Sequence, residues 1–176
     1  MMLLRLLFLY CLLQGLTGCA GVPSGLHPVS GFEVDRYLGK WYEIARLDHP
    51  FERDLSNVTA DYSLREDGDI RVINRGYNEA DEEWEEAEGR AKFVSSPEIG
   101  SLMVSFFGPF YGGYHIIDLD RKHYDLALIA GNDRNYLWIL SRTPEIGASE
   151  RNRLLQKAEN LGFAVDELIF VAHDRN

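Results

Sequence analysis

The sequence predicts an all-β protein: an eight-stranded antiparallel up-and-down β-barrel with one C-terminal α-helix and a short ninth strand. Three observations lead there. Eight strand-length runs follow one another at short spacing, with no connection long enough for a parallel crossover. The first of them starts on Gly39-Lys40-Trp41-Tyr42, and the eighth ends on Arg142. A single run with helical periodicity comes after the strands, near the C-terminus. Eight antiparallel strands fit a sandwich or a closed barrel, and closure removes both sheet edges.

Residues 1–18 stand apart from that domain. Met1-Met2-Leu3-Leu4-Arg5 carries one positive charge, and an apolar stretch follows to Leu13. That stretch falls short of the ~20 apolar residues that span a bilayer, so it reads as a secretion signal. Leu16-Thr17-Gly18-Cys19 resembles the lipobox of bacterial lipoproteins. By that resemblance the signal is cut before Cys19, which then carries the acyl chains. Ala20 rather than Asp follows Cys19, and the same resemblance favours the bacterial outer membrane as the destination. Several acyl chains on one residue are enough for stable anchoring.

The two cysteines are Cys11 and Cys19. Cys11 leaves with the signal, so the mature domain has no disulfide and its core must hold it together. No Cys/His cluster points to zinc. The formal net charge is −10, which argues against nucleic acid and against bulk attraction to anionic head groups.

Residues 19–31 form the lipidated N-terminus and a linker rich in Gly, Pro and Ser, and residues 32–176 form the domain. A short helical turn is expected over 32–38. Gly39 then supplies a positive-φ position. The first strand covers 40–47 and is followed by a ten-residue loop. Alternation marks 58–64 as the second strand, and Asp67-Gly68 as the hairpin turn after it. Strands are expected over 70–77, 84–94, 102–107, 114–119, 124–130 and 136–142, with 108–113 as a loop. The helix is expected over 150–160, with Ser149 as N-cap and Gly162 at its end. Residues 167–172 supply the ninth strand.

This order of elements resembles the lipocalin family, in particular bacterial outer-membrane lipocalins and apolipoprotein D. The resemblance is carried by Leu38-Gly39-Lys40-Trp41-Tyr42-Glu43-Ile44-Ala45-Arg46, by Ala60-Asp61-Tyr62-Ser63-Leu64, and above all by Asp133-Arg134-Asn135-Tyr136-Leu137-Trp138-Ile139-Leu140-Ser141-Arg142-Thr143-Pro144. It covers nearly all of the mature chain. The family's middle motif, Thr-Asp-Tyr, is mostly absent; Lys122-His123-Tyr124 stands there, with only the Tyr in common. The resemblance implies a closed barrel and a small-ligand cavity. It implies Gly39, Trp41 and Arg142 as the residues that close it, with the guanidinium on the indole face.

With Trp41 and Arg142 pointing inward, strand alternation places Glu43, Ala45 and Leu47 inside from the first strand. Val58, Ala60, Tyr62 and Leu64 follow from the second, and Tyr136, Trp138 and Leu140 from the eighth. The fifth strand offers Leu102, Val104 and Phe106, or the opposite set with Met103 and Phe107. The sixth offers Tyr114 and Ile116. From these, Ala45, Leu47, Ala60, Tyr62, Val104, Phe106, Tyr114, Ile116, Tyr136, Trp138 and Leu140 are the candidate ligand wall. An apolar wall suits an acyl chain, since each buried CH₂ contributes about 0.8 kcal/mol. The expected ligand is a fatty acid or lysophospholipid, carried or stored for membrane maintenance under stress. Neither a cofactor nor a catalytic group is expected. The alternatives left open are an interaction protein with a filled barrel and an enzyme on the same fold, using Glu43 or a cavity Tyr. The oligomeric state, a homodimer included, is not fixed by the sequence. Phe51, Phe110 and Tyr111 are placed on the open-end loops, where aromatic side chains can meet membrane or a lipid tail.

Overall fold

The computed structural model describes residues 21–175, so the signal sequence and Cys19 lie outside the described residues. A one-turn helix α1 (Val34–Tyr37) leads into eight strands: β1 (Gly39–Arg46), β2 (Leu55–Leu64), β3 (Ile70–Asn78), β4 (Glu83–Phe93), β5 (Ser101–Phe107), β6 (Phe110–Leu119), β7 (Leu126–Ala130) and β8 (Leu137–Ser141). Helix α2 (Ala148–Asn160), a 3₁₀ turn (Val165–Glu167) and strand β9 (Ile169–Phe170) complete the chain. Each strand pairs antiparallel with its neighbour, and β1 pairs with both β2 and β8, which closes the barrel.

The closed end is built around Trp41, which is fully buried. Its indole N–H donates to Tyr37 O at 2.8 Å. The Arg142 guanidinium lies over the indole, 4.0 Å from the ring centroid. The same guanidinium donates to the carbonyls of Lys40, Arg36 and Leu38 at 2.7–2.9 Å. One side chain thus fastens the end of α1 and the start of β1 to the far end of β8. Gly39 has φ +88°, and a Cβ there would sit 3.6 Å from Arg142 Nη1. Phe32 and Tyr124 complete the plug, with Phe32 5.2 Å from the Tyr37 ring.

Two apolar layers result. The first fills the lower barrel with Tyr62, Val72, Leu102, Ile116, Ile129 and Leu140 around Trp41. The second lies outside the wall, where Leu154 and Ala158 of α2, with Phe163 just after it, cover β1, β7 and β8 at Ile44, Leu128 and Ile139. Strands β7 and β8 are therefore buried on both faces, which is why their sequences are continuously apolar rather than alternating. Helix α2 starts two residues earlier than a Ser149 cap implies. Gly147 occupies the N-cap with no side-chain cap bond, and Ser149 lies inside the helix. Its far end is a Schellman motif: Gly162, at φ +84°, donates to Glu159 O, and Phe163 N–H donates to Ala158 O.

Two departures from regular alternation matter for the site. Strand β1 is bulged between Glu43 and Ala45, and β2 between Ser56 and Thr59. Above these bulges β1 and β2 no longer pair; their register ends at Tyr42↔Thr59. The C-terminal segment fills the gap. Val171 N–H donates to Ile44 O, Asn57 N–H to Ala172 O, and His173 Nε2 lies 2.8 Å from Glu43 O. Strand β9 itself pairs only with β1, and residues 171–173 after it form a strap bonded across the two diverging barrel strands.

Candidate functional site

Strand polarity places the open end at the loops 47–54, 79–82, 108–109 and 131–136. The β5–β6 connection is tighter than the sequence implied. Gly112 and Gly113, expected in a loop, are in β6 and pair with Val104 and Met103.

The wall residues divide in two. Tyr62, Ile116 and Leu140 are buried in the inner layer, and Ala60, Val104, Phe106, Tyr114 and Trp138 pack on it while only partly buried. Ala45 and Leu47 do not face inward. Both belong to the outer layer beneath α2. The bulge after Glu43 is the reason: it inserts one residue, so Arg46, opposite Trp138, takes the inward position that alternation gave to Ala45. On β5 the inward set is Leu102, Val104 and Phe106. Tyr136 lies at the rim, its ring 6.1 Å from that of Trp138 and 5.8 Å from that of His49.

The upper interior is not packed like the lower. Ala60, Ala87, Val104 and Gly112 share the inward parity of buried residues on their strands, yet Ala87 and Gly112 are exposed and the other two half-exposed. Small side chains at that level leave the inner face open to solvent. Lower down, three tyrosine hydroxyls form a chain. Tyr114 Oη lies 2.6 Å from Tyr37 Oη and 3.0 Å from Tyr62 Oη. Burial raises all three above the usual phenol range, so they are neutral donors and acceptors. Two bonds use two of three hydroxyl protons, which leaves one for a ligand. Asn74 adds an inward amide whose Oδ1 has no partner among the described residues.

The mouth holds a buried ionic cluster that sequence reasoning saw only in part. Arg46 donates to Glu43 Oε1 at 2.7 Å, and to the carbonyls of Glu52 and Leu55 at 2.6 and 3.0 Å. It thereby ties the 47–54 loop down over the barrel. Glu52 Oε2 accepts from Trp138 Nε1 at 3.0 Å and lies 3.0 Å from His49 Nε2. Burial pushes the Glu43 carboxyl well above the usual range, and the nearby Glu52 pushes it further, against the pull of Arg46. Burial acts on Glu52 in the same sense, but His49, Trp138 and Arg46 outweigh it and hold it low. Glu43 is thereby driven towards its neutral form and Glu52 towards its anion. The signal for Arg46 was present in the sequence, as a lone Arg three residues after a lone Glu in an apolar strand. The loop partners His49 and Glu52 carried none.

Around the mouth stand three large exposed aromatics: Phe51 at 71%, Phe107 at 73% and Phe110 at 77% exposure. Tyr111 is half-buried. His115 points away from the interior, its Nδ1 3.0 Å from Ser101 Oγ, and burial lowers its pKa. Among the described residues, Asp120, His123 and Asp125 bring three ligand atoms together at the closed end. The Asp120 oxygens already accept the backbone N–H groups of Lys122 and His123, so the group reads as a turn.

The lipocalin-like domain family matches residues 32–173. The outer membrane lipoprotein Blc of Vibrio cholerae is 50% identical over 168 residues, spanning 96% of this chain and 98% of that protein. Bovine apolipoprotein D is 34% identical over 149 residues, spanning 76% of this chain and 78% of that protein. Among solved structures, insecticyanin from the tobacco hornworm superposes with a TM-score of 0.68 at 18% identity, covering 86% of each chain.

Proposed function

This chain belongs to the lipocalin family, and on that premise we propose that it is an outer-membrane-anchored carrier for a fatty acid or lysophospholipid. The observation that carries the reading is the incomplete burial of inward-facing Ala60, Ala87, Val104 and Gly112 above a tightly packed floor. A barrel filled by its own side chains would bury them. The acyl chain lies against Val104, Phe106, Tyr114 and Trp138, and the polar head stays near the open end. About twelve methylenes at roughly 0.8 kcal/mol each give ample gross energy, before the entropy of association is subtracted. The neutral tyrosines position rather than react, and no catalytic step is assigned. Phe51, Phe107 and Phe110 form an apolar rim suited to meeting a bilayer or a lipid tail as it enters. Storage or delivery of lipid during membrane stress fits such a protein.

Two experiments test this reading. Native mass spectrometry of the chain released from its own membrane is expected to show one lipid mass per protein; only empty protein counts against it. Replacing Cys19 by Ala is expected to shift the protein from the membrane pellet to the soluble fraction, because anchoring then lacks its acyl chains. A Cys19→Ala protein that still pellets with membranes contradicts the anchor.

A further inference from the structure

The barrel has a second seam, between β4 and β5, which no chain segment among the described residues fills. The last pair joining these strands is Arg90↔Ser105. Above it β4 runs on to Glu83 paired with β3 alone. The Phe106 ring lies against the seam at Gly89, where an added Cβ would be 2.8 Å from the ring. A cleft of about 270 Å³ opens on the outer wall at this point, lined by Arg65, Arg90, Ser105, Phe106 and Tyr111, with Glu88 at its edge.

The polar atoms left over in this cleft are donors. Ser105 is 8% exposed and its Oγ has no partner among the described residues. The Arg65 Nε is buried and likewise unbonded, with Asp67 Oδ1 3.8 Å away, and Arg65 Nη1 is 3.8 Å from Glu88 Oε1. Glu88 is neutralised from the other side by Arg71 at 2.7 Å. The local ion-pair network holds four cations (Arg65, Arg71, Arg90, Lys92) against three carboxylates (Asp67, Asp69, Glu88). Asp61 and Glu86 also lie near Arg71, so what the cleft offers an anion is its pair of unpartnered donors, not a surplus of positive charge. The mouth offers the reverse: Glu43 and Glu52 within it, Asp81 and Glu82 on the adjacent connection, and Glu83 at the start of β4. Arg46 at the mouth is already committed to Glu43 and to two carbonyls, and His49 lies against Glu52, so an incoming anion there meets carboxylates first.

We propose that this cleft binds the anionic group of an amphiphile, a carboxylate or phosphate, while its chain passes beside Phe106 into the barrel. Arg65 and Ser105 donate to the anion, and the Tyr111 ring flanks it. The proposal rests on the barrel holding a lipid chain; it moves an anionic head from the mouth to this seam and adds which head group is selected.

The test uses the full chain in phosphatidylcholine vesicles, titrated with palmitate, with hexadecanol as the neutral analogue, and with inorganic phosphate. Arg65→Met is expected to weaken palmitate about tenfold, the loss of one charge-assisted hydrogen bond, and to leave hexadecanol unchanged. Ser105→Ala is expected to weaken palmitate by a smaller factor in the same direction. If both variants bind palmitate as tightly as the parent, the proposal is overturned. If neither palmitate nor hexadecanol binds the parent, the barrel reading fails instead. Inorganic phosphate then decides the cleft: amide shifts at Arg65 and Ser105 that vanish in Arg65→Met support an anion site for free phosphate, and no shift overturns it.

Discussion

Replacing Arg46 by Met is expected to lower the unfolding free energy by about 3 kcal/mol, the scale for removing one partner of a buried ion pair. Arg46 is almost wholly buried and meets Glu43 and two loop carbonyls. Without it, the Glu52 anion keeps only His49 and Trp138, and the carbonyls of Glu52 and Leu55 lose their donor. The cost is expected to shrink when Glu52→Gln is added, because no buried anion then remains; denaturant unfolding of the two singles and the double measures the coupling. The pH dependence carries the same signature. Glu43 titrates higher folded than unfolded, so the folded state binds more protons above its unfolded pKa of about 4.3. Its contribution is complete below that value and is lost as pH rises through the folded value. Glu52 has the opposite sign, and its contribution fades as pH falls through its lowered folded pKa. Glu43→Gln is expected to flatten the decline on the alkaline side. An unchanged pH profile in that variant contradicts the raised Glu43 pKa.

Replacing Ala60 by Trp is expected to leave a folded barrel and to weaken fatty-acid binding by about 100-fold. Ala60 faces inward from β2 opposite Asn74, at the level where the interior is open. An indole there displaces about four methylenes of a bound chain, at roughly 0.8 kcal/mol each. If the interior is already filled, the same substitution overpacks it, costing ~1–3 kcal/mol of stability instead. Thermal unfolding and a binding titration on one sample separate these outcomes: a large loss of affinity with little loss of stability identifies a hollow.

Much of this architecture was legible in the chain because β-structure writes its own period. Alternation from Val58 to Leu64 and the Asp67-Gly68 turn give the β2–β3 hairpin, and Trp41 with Arg142 marks where the barrel begins and ends. What alternation cannot reveal is a place where it skips. The bulge at Ile44 reverses everything beyond it, so Ala45 and Leu47 went to the wrong face and Arg46 was overlooked. The divergence of β1 from β2, and the strap of residues 171–173 that bridges them, are long-range consequences of two bulges with no local mark. Gly112 and Gly113 read as turn residues because glycine serves turns so often; here they continue β6 and leave the inner wall bare at Gly112. The mouth cluster joins a strand to a loop, and loop geometry is set by what it packs on rather than by its own composition.

The most direct test of the hollow barrel uses its tryptophans. The chain has three, Trp41, Trp84 and Trp138. Trp84 stacks with Arg75 on the outer face, and Trp138 borders the open interior. In a lipid-stripped Trp84→Phe protein, dibromostearate is expected to quench the remaining fluorescence saturably, at one equivalent, with reversal by unlabelled stearate. Fluorescence that stays constant past one equivalent, or falls only linearly without saturating, contradicts a lipid chain inside the barrel.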